Sequence, residues 1–262
     1  MTVRIQQQNT ASSFGYEWSK FNTIYKEYED NFLSYVAPLD REFFRGKSVV
    51  DAGCGAGRHA HFLASYGASV LAFDLSEKVV EVARDNLAGM PGVTVAQADI
   101  GCLPESWRGK FDCAVCLGVL HHLPSPEEGF KNLLELLRPG GTIAIWVYGT
   151  DNNRLARWLY DPIRRLTCRL PHKVVYVATL PAAVVVAVCN HLHLPLFRQY
   201  ARFPFRTKWN DAFDVFATPV VRYLDLETVE RWFYEARLHD VTVAHRFLNG
   251  VRKGIKGQGV KP

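Results

Sequence analysis

Between residues 47 and 149 the chain alternates short, almost wholly apolar runs with longer segments that keep their apolar residues on one helical face. The apolar runs at 48–52, 69–73, 93–96, 111–117 and 142–148 predict strands. The segments at 58–66, 77–88 and 126–137 predict helices. Strands and helices that alternate at this spacing form βαβ units, and hence an α/β fold with a parallel, doubly wound sheet and helices on both faces. Runs without a polar face suit strands covered on both sides. Arg138, Pro139, Gly140 and Gly141 close the last helix with breakers before the fifth strand.

The flanks have other patterns. In residues 1–46, Trp18, Phe21, Tyr25, Tyr28 and Phe32 recur at three-to-four spacing, which predicts one or two amphipathic helices ending near Pro38. Such a stripe ordinarily packs. A helix ahead of the first strand can also lie over a ligand, and Tyr16 and Trp18 are the candidates for such a lid. Residues 150–223 lose the rhythm and are rich in proline, arginine and aromatics. The segment is too long for a loop in a compact domain, so it predicts a helical cap inserted after the fifth strand. Residues 224–262 return to order: a helix at 226–237 capped by Asp225, a strand at 240–247, and a glycine-spaced tail at 249–259 able to add one short strand.

Inside the cap, residues 174–189 are almost wholly apolar but too short for a bilayer span and interrupted by Pro181. A buried cap helix or helix pair is the expectation. The alternatives are a greasy wall for a lipid-like acceptor, or contact with a membrane surface beside the arginines. Hydrophobic content of 48% and charged content of 22% are those of an ordinary globular protein. Charge is uneven: residues 151–262 hold 18 Lys/Arg against 9 Asp/Glu, while the first 150 residues are net negative. An anionic substrate or surface would be drawn to the C-terminal part.

Residues 1–11 lack the apolar core of a signal peptide, and the six cysteines show no framework spacing, so reduced thiols and a cytoplasmic location are expected. Cys113 and Cys116 stand three apart on a predicted strand and face opposite sides, which forbids a shared metal. His191 and His193 have no acid nearby, and no metal site is expected.

In a doubly wound sheet, ligands bind at the carboxyl ends of the strands. Asp51, Gly53, Gly55 and Gly57 follow the first strand, and Asp74 ends the second, where a carboxylate can accept both ribose hydroxyls. Asp99 and Ile100 end the third, the fourth runs into Leu117, Gly118, His121 and His122, and the fifth ends at Tyr148. The glycine loop has no Lys-[Ser/Thr] pair, so it does not cradle a triphosphate. Its leading acid repels phosphate and suits a ligand with an ammonium group.

This series resembles the class I S-adenosylmethionine-dependent methyltransferases. The resemblance rests on Asp51 to Gly57, Asp74, Asp99-Ile100, the segment from Phe111 to Leu123, and Leu137 to Thr142. It implies a Rossmann-like seven-stranded, mostly parallel sheet whose last strand is antiparallel, and S-adenosylmethionine as cofactor. Gly53, Gly55 and Gly57 would lie against its methionine part, with Asp51 near the ammonium. Asp74 and the adjoining Leu75 would hold the ribose, Asp99 and Ile100 the adenine, while Leu117 and Gly118 would border the sulfonium.

A histidine after the fourth strand can take a proton from a hydroxyl or amine under attack. Neighbouring residues cannot both point inward, so one of His121 and His122 serves, and His121 is favoured; Tyr148 is a further candidate. The acceptor is expected to be a small molecule, anionic or lipid-like, methylated on O, N or C, with Arg202, Arg206, Lys208, Trp209, Asp214, Arg222 and Tyr223 selecting it. Two other classes compete. An RNA methyltransferase is disfavoured, because no separate RNA-binding module and no Asn/Asp-Pro-Pro-Tyr motif is present. A non-catalytic cofactor-binding protein would keep the loop and lack turnover.

Overall fold

The computed structural model describes residues 3–150, 154–194, 201–248 and 251–262. Five strands run parallel: β1 (Ser48–Ala52), β2 (Ser69–Asp74), β3 (Val93–Gln97), β4 (Phe111–Leu117) and β5 (Leu137–Val147). Two more, β6 (His239–Leu248) and β7 (Val251–Val260), complete a seven-stranded sheet of order β3-β2-β1-β4-β5-β7-β6, with β7 antiparallel to both its neighbours. The order reverses between β1 and β4, where crossovers leave to opposite sides and open a crevice at the strand ends.

Strand residues alternate between two cores. Val49, Val70, Cys113 and Val115 pack on one face with α2 (Tyr28–Val36), α4 (Arg58–Ser65) and α5 (Glu77–Asn86). Val50, Phe73, Ala114 and Cys116 pack on the other with α6 (Pro126–Leu136) and α11 (Leu226–Glu235). Cys113 and Cys116 thus sit on opposite faces of the sheet. Asp225 caps α11 by accepting from the Thr228 amide at 2.6 Å.

The aromatic series falls on two helices, α1 (Val3–Lys20) and α2, the second ending just before Pro38, with Phe21 and Tyr25 in the connection between them and the short α3 (Arg41–Phe44) following. Two expectations are corrected. The segment Arg138–Gly141 is part of β5, which pairs with β4 across a register shift between Phe111 and Cys113. The glycine-spaced tail is a full ten-residue strand. Its glycines permit close packing, since a β-carbon on Gly257 would lie 2.8 Å from the Phe233 ring on α11.

Among the described residues, four further helices occupy the segment expected as a cap: α7 (Arg154–Thr167), α8 (His172–Ala178), α9 (Leu180–His191) and α10 (Phe205–Ala217). Helix α10 is its centre. Phe213 and Ala217 join Phe21 and Val175 in a third small core, and Tyr176 stacks on Trp209 at 4.1 Å. Residues 174–189 form the expected helix pair, yet the pair is not buried. Val175, Thr179 and Ala183 face inward while Val174, Val177, Val184, Val185 and Val188 are exposed.

Candidate active site

The turn after β1 is shaped by glycines at positive φ: Gly53 at 72°, Gly55 at 53° and Gly57 at 82°. Only glycine adopts such angles without strain. The turn is fixed to its neighbour, because the amides of Gly53 and Cys54 donate to the Phe73 carbonyl at 2.8 and 2.9 Å. The Asp74 carboxylate then accepts from the Gly55 amide at 3.2 Å and the Ser76 amide at 3.1 Å. Burial raises the Asp74 pKa against these bonds.

Asp51 is buried at 1% exposure. One carboxylate oxygen accepts from the Ala60 amide at 2.9 Å, and the other has no partner among the described residues. Burial pushes its pKa up to about 7, helped by the nearby Asp74 and opposed by the Ala60 N–H. Such an orphaned acceptor fits a ligand that brings a cation or a donor.

A cavity of about 150 Å³ opens beside the loop. Of the expected cofactor residues, Gly53, Gly55, Asp74, Leu75, Asp99, Ile100, Leu117, Gly118 and Trp18 line it. Asp51 and Gly57 do not; they sit under the loop and at the start of α4, where Gly57 is the left-handed N-cap. The roof is α1. Gln7, Thr10, Ala11, Phe14 and Trp18 recur at helical spacing and so face the cavity together. Gln7 donates to Asp99 at 2.7 Å, and Asp99 also accepts from the Gly101 amide at 2.8 Å.

Tyr16, paired with Trp18 in the expectation, lies on another side of α1. Its ring packs on Tyr176, Phe213 and His172 of the cap at 6.0, 5.7 and 5.5 Å. A lid residue there needs the phase of Phe14 and Trp18, which Tyr16 lacks. Sequence reasoning also missed Gln7, Phe14 and Arg58. Arg58, first residue of α4, spans from the cavity wall to the rings of Trp18 and Tyr28, at 5.1 and 3.7 Å. Its place directly after the last glycine was the only signal for it.

The two histidines lie the other way round from expectation: His122, not His121, faces the cavity. They sit on a 3-10 turn, Leu120–His122, which points successive side chains in different directions. His122 lines the cavity and meets Phe14 edge-on at 5.1 Å. His121 is wholly buried behind it, stacked on Tyr148 at 4.0 Å, with neither ring nitrogen partnered among the described residues.

His122 Nδ1 lies 2.7 Å from the Val220 carbonyl. A carbonyl only accepts, so Nδ1 carries the proton and Nε2 keeps its lone pair. Burial lowers the His122 pKa, while Asp214 and the Val220 bond oppose that. The ring is therefore a neutral base at neutral pH. Tyr148 does not reach the cavity, and its hydroxyl donates to Asp214 at 3.3 Å. A buried polar layer continues from there: Glu17 of α1 lies beside Asp214, Asp211 and Asn210 of α10, and burial holds its pKa well above the ordinary value.

The cap residues expected to select the acceptor have other partners. Arg202 pairs with Asp30 at 2.6 Å, and Arg206 donates to the Lys20 carbonyl. Lys208 donates to the Phe203 carbonyl, and Trp209 to the Tyr176 carbonyl at 3.0 Å. Tyr223 reaches Asp161 at 3.5 Å, and Asp214 holds Tyr148 and Thr218. Arg222 clasps the histidine turn from outside, its amide on the His121 carbonyl at 2.9 Å and its guanidinium on that of Leu123 at 3.2 Å. None of these side chains lines the cavity. Arg202 and Arg206 bind the N-terminal segment and Arg222 the histidine turn, while Lys208, Trp209 and Tyr223 bond within the cap and Asp214 holds the end of β5.

Comparison with known proteins agrees with this geometry. The profile of a methyltransferase domain family matches residues 49–141. A ubiquinone biosynthesis O-methyltransferase of Coxiella burnetii is 32% identical over 117 residues, 44% of this chain and 48% of that protein. One from Thiobacillus denitrificans is 32% identical over 148 residues, 56% of this chain and 62% of that protein. The chain thus spans about half the length of the curated relatives it matches. The crystal structure of magnesium protoporphyrin IX methyltransferase from Synechocystis PCC 6803 covers 95% of this chain and 80% of its own, at 16% identity and a TM-score of 0.51, a likeness of fold. Glycine loop, strand-end acids, sheet order and family profile coincide on one segment, and the chain carries a class I S-adenosylmethionine-dependent methyltransferase domain.

Proposed function

We propose that this protein is an enzyme that transfers a methyl group from S-adenosylmethionine to an oxygen or nitrogen of a small-molecule acceptor. One observation carries the reading: His122, neutral and oriented by Val220, lines the same cavity as the glycine loop. The residues fit the cofactor. Asp74 and Leu75 would hold the ribose and Asp99 with Ile100 the adenine, all four on the cavity wall, and the orphaned oxygen of Asp51 beneath the loop supplies charge complementary to the ammonium. When bound, the cofactor supplies an electrophilic methyl group on a sulfonium.

The chain's own residues then do three things. Trp18 and Phe14 exclude water from above, Leu117 and Gly118 shape the floor, and His122 Nε2 accepts the proton of the attacking hydroxyl or amine. All six cysteines are free, which suits a reducing compartment, and a cytoplasmic site of action belongs to the proposal.

The test joins binding to turnover. S-adenosylhomocysteine is titrated by calorimetry, and a panel of phenols, catechols, carboxylates and amines is screened for methyl transfer. Micromolar binding with transfer to one class supports the proposal. Binding without transfer to any class would reduce the protein to a cofactor-binding module, and absence of binding would overturn the site.

A further inference from the structure

Helices of a water-soluble cap turn their polar sides outward, and here two segments do the reverse. Leu159, Ile163, Leu166 and Leu170 recur at helical spacing along α7 and just beyond it, and all are exposed. Val174, Val177, Val184, Val185, Val188 and Leu192 form a second exposed stripe along α8 and α9, with Val177 at 66% and Val185 at 58% exposure. Isolated surface apolar residues need no explanation, whereas stripes of this length mark a docking face.

Three observations name what docks there. The first is composition. Taken over its full helical extent, His172–His191, the stretch is longer than the 174–189 expected from sequence and reaches bilayer-spanning length and apolarity. Yet it is held against the protein: Val175 and Ala183 are buried, Tyr176 stacks on Trp209, and α9 packs along α10. A segment held along one side lies in the plane of an apolar phase and does not pass through it.

The second is charge. Residues 154–194 contain six Lys/Arg and one Asp, and that Asp161 is paired with Arg164 at 2.7 Å. Arg165, Arg169 and Lys173 are exposed, and among the described residues none of the three pairs with a carboxylate. Two copies of so basic a face repel one another. An anionic surface attracts it.

The third is shape. Between α1, α7 and the segment 219–222 lies an open crevice of about 650 Å³, lined by Arg165, Arg169, His172 and Arg222 together with the Asp161–Arg164 pair. Its basic lining suits the phosphate of a lipid headgroup, and its volume leaves room for the rest of the headgroup.

We propose that the cap docks this face on an anionic lipid bilayer, with α8 and α9 lying in the interface and headgroup phosphates held by Arg165 and Arg169. The inference does not depend on the methyl-transfer reading, since it concerns a surface outside the cofactor cavity.

Vesicle flotation of the full chain tests it, with phosphatidylcholine alone and with phosphatidylcholine mixed with phosphatidylglycerol. The wild type is expected to float with the mixed vesicles, less so at high salt, and to bind phosphatidylcholine alone at least about tenfold more weakly. V177E/V185E should weaken binding to both by about tenfold or more. R165E/R169E should remove the preference for the anionic vesicles, at about fivefold per arginine. S-adenosylhomocysteine binding and circular dichroism, unchanged in both variants, show that they are folded. Failure of the wild type to float on mixed vesicles would overturn the proposal. So would binding that ignores both double substitutions, or a dimer in solution that V177E/V185E splits while vesicles are ignored.

Discussion

The indole of Trp18 closes over Gly55 so tightly that a β-carbon on the glycine would lie 3.0 Å from the ring. The relationship joins the N-terminal helix to the loop that identifies the domain. It also makes the lid testable. Gly55→Ala has to strain a backbone at φ 53° and displace the indole, so it should lower S-adenosylhomocysteine affinity by about tenfold or more and cost about 1–3 kcal/mol of stability. Adding Trp18→Ala frees the space and should return part of the stability but not the affinity. Calorimetry and urea titration read the two quantities separately.

The pH dependence of binding should follow Asp51. Its pKa is 3.8 in an unfolded chain and about 7 when folded without ligand. The folded state holds the proton longer, so this group's stabilisation is complete below 3.8 and is lost as pH rises to about 7. An ammonium beside it favours the carboxylate, hence S-adenosylhomocysteine should bind more tightly as pH rises through about 7, with proton release. Asp51→Asn should abolish both the rise and the buffer dependence of the binding heat. A rise that persists in the variant would assign the titration to another group.

His122 and His121 should respond differently to removal. His122→Ala is expected to slow methyl transfer by about a hundredfold or more while leaving cofactor affinity near the wild type. Because burial lowers the His122 pKa, the acidic limb of the rate profile should lie below the ordinary histidine value and vanish in the variant. His121→Ala opens a hole beside Tyr148 and should instead lower stability, by about 2 kcal/mol. A larger rate loss at His121 than at His122 would reverse the assignment.

Glu17 offers a prediction about folding alone. Burial raises its pKa far above 4.5, so its stabilising contribution is complete below that value and fades as pH climbs. Glu17→Gln keeps the shape without the ionisation. Urea titration across neutral pH should show a flatter stability profile for the variant and equal or greater stability at the alkaline end.

Much of this was legible in the chain, for identifiable reasons. Runs such as 111–117 are apolar on both faces, which only a doubly covered strand tolerates, so β1 to β5 and their order of appearance follow from periodicity. Asp51, Asp74 and Asp99 stand at strand ends by sequence position, which places them around one crevice once the sheet is parallel. The rotational phase of helices was not legible. Tyr16 and Trp18 are two apart, and only the packing of α1 onto the loop and of Tyr16 onto α10 says which one roofs the cavity. The cap arginines misled because polar pairing over distances such as Arg202 to Asp30 leaves no local trace.

The sequence by itself determined the class of fold, the glycine loop and the three acids, since each is written in local spacing and backbone need. Tertiary structure decided which histidine faces the cavity, which aromatic covers it, and that the apolar stretch at 174–189 lies outside. A segment apolar on every side can bury any face, and its neighbours alone choose which one. Here α10 took Val175 and Ala183 and left the rest to solvent.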